Sequence, residues 1–537
     1  MDGRPRDRIA GRANRFAGAA SAVDRLRAAL DDHGVIGRED IRAVAARTHL
    51  PIAAVAGSSS FYADFALAQR KSRHVRICRG TACFVACAGV DPRADTDADT
   101  SVQSVHCLGF CFAAPALLDN GLPRTGPDQQ PGPPIPYACA APRSVVLAGL
   151  CGDESAWQVW PEMLASGLRD RVMGEVAGSG LRGRGGAEFP AAEKWRAAQC
   201  RPRPRQVIAN GDEGDPGSFC DRLLLECDPH RVLEGLALCG YAVGADQGTV
   251  LVRSEYPAAL AAMRRAVEQA RAAGHLGSNV HGSGLAFDVA VSEGAGSYTA
   301  GEETGLLRAL TGLRGSVQAR PPYPTDCGFA GRPTVVHNVE TLAAIPWIVR
   351  HGGAAYARLG RSSETGTKLV SLSAGFAEPG VYEVEFGTPL REIVERLGGG
   401  ARAGRLLRAV QVGGPLGGFL GSGDLDIGLA DTDLAARGIS LGHGGIVAID
   451  DRVSGGALLR QLWQFAAAES CGACAPCRVG TRRGLEMSMR AAPIGPELPR
   501  LLDIMRTGSL CAFGTGVAAA VHSLVRVYSD ELGEARP

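Results

Sequence analysis

Four cysteines in the C-terminal part of the chain are spaced for metal chemistry. Glu469-Ser-Cys471-Gly-Ala-Cys474-Ala-Pro-Cys477-Arg-Val-Gly480 places three thiols at C-x2-C-x2-C, and Ser509-Leu-Cys511-Ala-Phe-Gly514 supplies a fourth after a gap of 33 residues. Three close thiolates and one remote partner match the four corners of an iron-sulfur cube. Zinc also accepts four thiolates, although its structural sites usually come as two C-x2-C knuckles. The spacing therefore favours [4Fe-4S], with zinc or unmetallated core cysteines as alternatives. A second set lies nearer the N-terminus: Cys78 and Cys83 at C-x4-C, then Cys107 and Cys111 at C-x3-C. Two thiol pairs at two strand ends suit a [2Fe-2S] cluster, with a zinc or degenerate site as the alternative. Only 23 residues separate the pairs, including the polar, acidic stretch Asp91 to Thr100, and Cys87 has no place in the pattern.

Between these sets lie loops with the composition of a phosphate or flat-ring cradle. Gly178-Ser-Gly180-Leu-Arg-Gly183-Arg184-Gly185-Gly186-Ala-Glu188-Phe189 satisfies G-x-G-x-x-G in its first six residues. A Rossmann fingerprint must follow a strand and have an acidic residue about 20 positions later. Here a helical pattern precedes the glycines and a basic segment, 198 to 205, follows them, so the Rossmann reading is rejected. Dense glycine still lets backbone N–H groups approach a phosphate or ring closely, the plain alternative being a flexible surface loop. Gln206–Asn210 reads as a strand feeding the acidic loop Gly211-Asp212-Glu213-Gly214-Asp215-Pro216-Gly217. Carboxylates at a strand end can accept hydrogen bonds from ribityl or ribose hydroxyls, or can be a solvated turn. A third strand candidate, Leu285 to Ser292, leads into Glu293-Gly-Ala-Gly296-Ser-Tyr298-Thr-Ala-Gly301-Glu302-Glu303-Thr304, a loop entering a helix whose N-terminus can face phosphate.

These motifs together resemble the NADH-oxidising flavin subunit of respiratory complex I and its counterparts in soluble NAD-reducing hydrogenases and NAD-dependent formate dehydrogenases. The cysteine stretch is similar to the family's E-S-C-G-x-C-x-P-C-R-x-G, and the glycine loop to G-L-R-G-R-G-G-A-G-F-P, with Glu188 where Gly is usual. The resemblance implies FMN, NAD(H), [4Fe-4S] and [2Fe-2S] as cofactors. It places Gly183, Arg184, Gly185 and Gly186 in the nucleotide loop, Phe189 stacked beside the nicotinamide or flavin, and Lys194 near the nucleotide phosphates. Only three residues of the chain are Lys. Asn210, Asp212 and Glu213 are implied to contact FMN, and Asp215 to face the dinucleotide. Tyr298, Gly301 and Glu302 fall around FMN and Glu303 reaches NADH. Arg320-Pro-Pro-Tyr323 puts Tyr323 on the adenine, and Asn338 and Thr341 serve the flavin, with His337 where the family has a second Asn. Val55 to Tyr62 and the cysteine pairs at Cys78, Cys83, Cys107 and Cys111 resemble the thioredoxin-like [2Fe-2S] domain of complex I's small flavoprotein partner subunit. Cys471, Cys474, Cys477 and Cys511 are the implied [4Fe-4S] ligands.

The elements that must position these groups divide a chain of 537 residues into about three or four principal domains at roughly 100 to 200 residues each. The expected class is α/β multidomain. Residues 1–70 read as an N-terminal helical bundle with apolar spacing over Ala20 to Leu30 and Arg38 to Ala46, and 71–119 as the thioredoxin-like domain. Residues 120–149 read as a Pro/Gly-rich linker or irregular crossover, and 150–365 as the non-Rossmann FMN and NADH domain, opening on one helix from Trp157 to Ala177. Residues 366–450 resemble a ubiquitin-like α+β domain with strands near 369–373, 380–386, 407–412 and 445–449 and a helix over Leu390 to Leu397. Residues 451–537 read as a helical bundle carrying the [4Fe-4S] ligands. A net charge of +1 gives no reason to expect nucleic acid or a membrane surface as partner. No apolar run approaches the ~18 residues of a spanning helix, and the Arg-rich start lacks a signal-peptide core, so a cytoplasmic protein is expected. Its sixteen cysteines then read as metal ligands and buried thiols rather than disulfides. The expected activity is that of a diaphorase: hydride exchange between NADH and FMN, then single-electron transfer through the clusters to a hydrogenase, formate dehydrogenase or similar catalytic partner. A complex I flavin subunit and a non-catalytic, zinc-stabilised scaffold are the alternatives.

Overall fold

The computed structural model describes residues 20–65, 69–94, 96–490 and 495–533. The first 19 residues of the expected N-terminal bundle, including the Arg-rich start, lie outside the described residues. Three sheets organise the rest. The first has the order β2-β1-β3-β4-β5, with β1 (Arg73–Cys78) parallel to β2 (Thr100–Val105) and antiparallel to β3 (Ala116–Asp119), followed by β4 (Leu122–Thr125) and β5 (Gln130–Pro131). This sheet runs to residue 131, past the expected boundary at 119, because β3 and β4 form a hairpin in which Asp119 pairs with Leu122.

The segment read as a linker is likewise built in. Its strand β6 (Tyr137–Cys139) adds a parallel edge to the third sheet. The buried Glu383 carboxylate then accepts the backbone N–H groups of Val145, Val146 and Leu147 at 2.9–3.0 Å. A buried carboxylate needs such donors, and here they fix the crossover.

The central sheet is all parallel, in the order β10-β7-β8-β9, from β7 (Gln206–Gly211), β8 (Gln247–Val252), β9 (Asp288–Glu293) and β10 (Thr334–Asn338). Near-continuous apolar strands such as Val207, Ile208 and Ala209 in β7 are buried, as a parallel sheet covered on both faces requires. The single helix expected from Trp157 to Ala177 is two helices, Val159–Ser166 and Arg169–Ser179. Gly167 takes φ 66°, a left-handed cap that ends the first.

The third sheet, β14-β13-β15-β11-β12-β6, holds β11 (Thr367–Leu372), β12 (Gly380–Glu385), β13 (Leu407–Val412), β14 (Gly418–Gly421) and β15 (Gly445–Asp450). It is fastened to the helix Val339–His351 by the fully buried Lys368–Glu340 ion pair. Four helices, Gly455–Glu469, Ala475–Ser488, Glu497–Gly508 and Ala512–Val527, form the C-terminal bundle around Leu462, Trp463, Phe465, Met505 and Val521. The N-terminal helices Ala22–His33, Arg38–Thr48 and Ile52–Ser59 clamp the segment after β9: Ala63 N donates to Gly296 O, Asp64 N to Ala295 O, and Tyr62 Oη to Leu313 O at 2.6 Å.

Candidate functional site

The C-terminal ends of the four parallel strands lie side by side. In open α/β sheets the crevice outside them is where ligands bind. Asp212, Glu213 and Asp215 follow β7; Tyr298, Gly301, Glu302 and Glu303 follow β9; Asn338 ends β10, in register with Asn210 of β7. Asn210 ties two loops together, its Nδ2 donating to Gly301 O at 2.8 Å while its Oδ1 accepts Asp212 N.

The glycine loop covers this crevice. Arg184 N donates to Thr341 Oγ1 at 2.9 Å, and the Arg184 guanidinium donates to Tyr356 Oη and Thr365 O, both at 2.7 Å. A Cβ at Gly185 would sit 3.0 Å from Asn338 Cβ, and one at Gly186, which has φ 95°, 3.2 Å from the Gly442 backbone. Close backbone approach therefore demands glycine at both places. Gly183 is under no such pressure, since nothing lies within 3.8 Å of its would-be Cβ. Phe189 and Tyr323 project rings that are 49% and 53% exposed.

The fit to a flavin can be judged from Asp212. Its carboxyl is buried, its Oδ2 has no hydrogen-bond partner among the described residues, and burial pushes its pKa up to about 7 against the pull of Arg253. An unpaired buried acceptor calls for a donor, and a ribityl hydroxyl supplies one. The glycine cradle and this orphaned oxygen fit FMN.

Lys194 donates to Glu303 Oε2 at 2.9 Å and to Val336 O at 3.1 Å, and Arg320 reaches both Glu303 and Glu302. Glu302 also caps the helix Glu303–Leu310 through Thr304 N and Gly305 N. Tyr298 Oη donates to Asp215, whose pKa burial raises.

Three residues expected at the ligand have protein partners of their own. The Glu213 carboxylate is wholly buried and consumed by Asp221 N, Arg222 N, Ser218 Oγ and the imidazole of His443. Burial opposes its charge, but His443 and these donors outweigh burial and lower its pKa to about 2. His337 alternates with Asn338 along β10 and so turns to the other face. There it accepts the Trp195 indole N–H at 2.7 Å, and burial, then Lys194, lower its pKa to about 3. It is a neutral packing partner. Thr341 is fully buried and serves by holding Arg184 N.

Sequence reasoning missed His443, which lies between Glu213 and Asp221, with Asn338 Nδ2 3.0 Å from its Nε2. Burial works against its proton, but Asp221 and Glu213 prevail and hold its pKa well above the ordinary value. No local motif marks it; only the fold brings residue 443 to strand β10.

Both thiol sets assemble. Cys78, Cys83, Cys107 and Cys111 are each at most 2% exposed, with Cys107 Sγ 3.8 Å from Cys111 Sγ and receiving Gly109 N–H at 3.3 Å. The short acidic segment between the pairs leaves the site closed. The Cys83 pKa is driven well up by its bond to Cys78 and by burial, and Cys111 by its bond to Cys107 and by burial, whereas that same bond lowers Cys107. Cys87 only caps the helix Thr81–Ala86.

At the C-terminal site, Cys474 and Cys511 occupy the N-caps of the helices Ala475–Ser488 and Ala512–Val527, where helix dipoles favour thiolate. Leu510 N reaches Cys474 Sγ at 3.5 Å, and Cys477 feels the charges of Cys474, Cys511 and Cys471. Burial raises Cys477 to about 12 and Cys511 to about 11, so metal must displace protons here. Four mutually interacting thiols fit a cluster.

One carboxylate joins all three regions. Glu469, two residues before Cys471, binds His106 Nδ1 at 2.9 Å and Tyr298 N at 3.0 Å. His106 adjoins Cys107. Phe465 packs edge-on against both His106 and Tyr298, with ring centroids 5.2 Å apart in each case.

Comparison with known proteins agrees with this arrangement. Residues 176–347 match the Nuo51 FMN-binding domain, 457–535 the NADH-ubiquinone oxidoreductase-F iron-sulfur binding region, and 9–123 the thioredoxin-like [2Fe-2S] ferredoxin. NADP-reducing hydrogenase subunit HndC of Solidesulfovibrio fructosivorans is 39% identical over 67% of this chain and 75% of its own length. The chain belongs to the family of NADH-quinone oxidoreductase flavin subunits. Another member, an NADH-quinone oxidoreductase subunit of Escherichia coli (strain K12), is 38% identical over 66% of this chain and 80% of its own. A solved NAD+-reducing [NiFe]-hydrogenase in the H2-reduced state superposes with a TM-score of 0.83 at 30% identity, covering 96% of this chain and 92% of that one. The α/β multidomain class, the thioredoxin-like domain and the helical C-terminus thus follow that family. Among the described residues no helix is long and apolar enough to cross a membrane.

Proposed function

We propose that the chain is the NADH-oxidising, diaphorase unit of a larger electron-transfer assembly. The observation that carries this reading is that the single carboxylate of Glu469, two residues before Cys471, binds both Tyr298 of the loop after β9 and His106 beside Cys107. Bound FMN would supply the exchange of a two-electron hydride from NADH for single electrons to iron-sulfur clusters; the protein's part is to bind, orient and insulate.

Asp212 offers its free oxygen to a flavin hydroxyl, Gly185 and Gly186 admit phosphate or ring edge, and Asn210 and Asn338 hold the loops in register. Phe189 and Tyr323 cover the nicotinamide and adenine, while Lys194, Glu303 and Arg320 meet the phosphates and ribose. Glu213, His337 and Thr341 brace this pocket from behind. Cys471, Cys474, Cys477 and Cys511 would hold [4Fe-4S]; Cys78, Cys83, Cys107 and Cys111 would hold [2Fe-2S]. No side chain is required as a general base.

In this reading the thioredoxin-like unit extends to 131, the crossover after it joins the third sheet through β6, and residues 366–450 are ubiquitin-like. A cytoplasmic setting and a hydrogenase or formate dehydrogenase catalytic partner complete the reading. Its test is Cys474→Ala. NADH should still bleach the flavin of this variant while electron delivery to a native partner stops, and unaltered delivery would overturn the proposed order.

A further inference from the structure

A cleft of about 610 Å³ separates the thioredoxin-like sheet from the third sheet, and it contains none of the flavin or dinucleotide residues. Its lining holds five arginines, Arg93, Arg124, Arg402, Arg405 and Arg452, against one carboxylate, Asp450. Arg452 neutralises that carboxylate at 2.6 Å. Among the described residues Arg93, Arg402 and Arg405 make no side-chain hydrogen bond or ion pair. Arg124 has only a longer-range attraction to Asp119, itself clamped by Arg73. The rest of the wall is mostly apolar, with Ala82, Ala86, Ala114, Pro115 and Ala374 beside the polar Gln129 and Ser373.

In a chain with a net charge of +1, three unpaired guanidinium groups and a fourth, Arg124, attracted to Asp119 only at longer range, make this concavity positive and focusing. Guanidinium forks match phosphate oxygens in planar, bidentate fashion, and a phosphate gains more from them than from scattered lysines. The volume lies within the roughly 300–1,000 Å³ of small-ligand pockets.

We propose that this cleft binds a phosphorylated, nucleotide-sized polyanion, with the phosphates on Arg93, Arg124, Arg402 and Arg405 and the remainder against the alanine and proline wall. The cleft shares that wall with the thiol site: Ala82 and Ala86 flank Cys83 on its helix, and Ala114 and Pro115 follow Cys111. Occupancy is therefore felt at the [2Fe-2S] ligands.

The test uses the full holo-chain with saturating NADH, which occupies the dinucleotide pocket, and ATP and inorganic tripolyphosphate as calorimetric probes. ATP is expected to bind with one-to-one stoichiometry, more weakly at high salt, and to shift the two-iron EPR signal. In Arg402→Glu/Arg405→Glu, ATP affinity should fall about tenfold or more with the melting temperature and NADH-driven flavin bleaching unchanged. Arg124→Gln provides a second, charge-neutral variant with the same expected direction. Absence of saturable ATP binding, competition by NADH, or equal affinity in the double variant overturns the proposal. Tripolyphosphate binding as tightly as ATP removes the nucleotide part of it. Displacement of ATP by a short polyglutamate peptide at lower concentration assigns the cleft to an acidic protein partner instead.

Discussion

Glu188 sits in the nucleotide loop with φ 47°, a left-handed conformation that glycine adopts freely and a side chain does not. Burial, then Asp431 and Glu364, raise its pKa to about 7. Because the pKa is raised, the carboxyl is neutral below that value and charged above it. A dinucleotide's phosphates therefore meet a new like charge as pH rises from about 6 to about 8, and NADH affinity should fall by up to about tenfold, roughly 1.4 kcal/mol. Glu188→Gln should flatten this profile, and KM for NADH across pH reads it directly. Glu303 has a different character, since Lys194 and Arg320 already compensate its charge. Removing it in Glu303→Ala leaves two cations near the ribose, so kcat/KM for NADPH relative to NADH should rise by about fivefold or more. An unchanged ratio would place the ribose elsewhere.

At the scale of elements, the loop Cys107–Cys111 owes its shape to Gly109. This residue has φ 70°, and a Cβ there would meet Arg222 Cδ and Tyr256 Cε1 at 2.8 Å. Gly109→Ala should cost about 1–2 kcal/mol for the backbone alone, add a clash with Arg222, and lower two-iron content while sparing the four-iron site. Iron analysis with EPR separates the two. The strand-end loops were legible in the sequence because each is contiguous, and the cysteine sets because their short C-x2-C, C-x4-C and C-x3-C spacings are local even where the sets are split. What was not legible depends on distant partners. The run Trp157 to Ala177 keeps helical spacing across Gly167, and only the packed turn breaks it into two helices. Seven prolines in 120 to 143 concealed β4, β5 and β6, whose pairing rests on β3 and β12. The acidic letters at Asp212 and Glu213 look alike, yet one keeps a free oxygen and the other is saturated by a helix start and His443.

Across the whole molecule, Glu469 is the point where the flavin loop, the thioredoxin-like domain and the C-terminal bundle are fastened together. Its position in the E-S-C-G motif was visible, but its partners His106 and Tyr298 lie 363 and 171 residues away. Glu469→Ala strips a carboxylate from two donors and should cost about 2 kcal/mol or more. Flavin should wash out faster in gel filtration while iron content stays near that of the unaltered protein; loss of both together would make Glu469 a general folding residue. The N-terminal helices act in the same sense, gripping Gly296 and Ala295 from residues 63 and 64. The three regions are thereby fastened into one unit. The most direct test is an anaerobic titration of the purified holo-chain with NADH, followed optically and by EPR alongside metal analysis. The account predicts flavin bleaching, then separate two-iron and four-iron signals, with about six irons per chain. A chain that holds zinc in place of iron, or whose flavin NADH leaves oxidised, contradicts it.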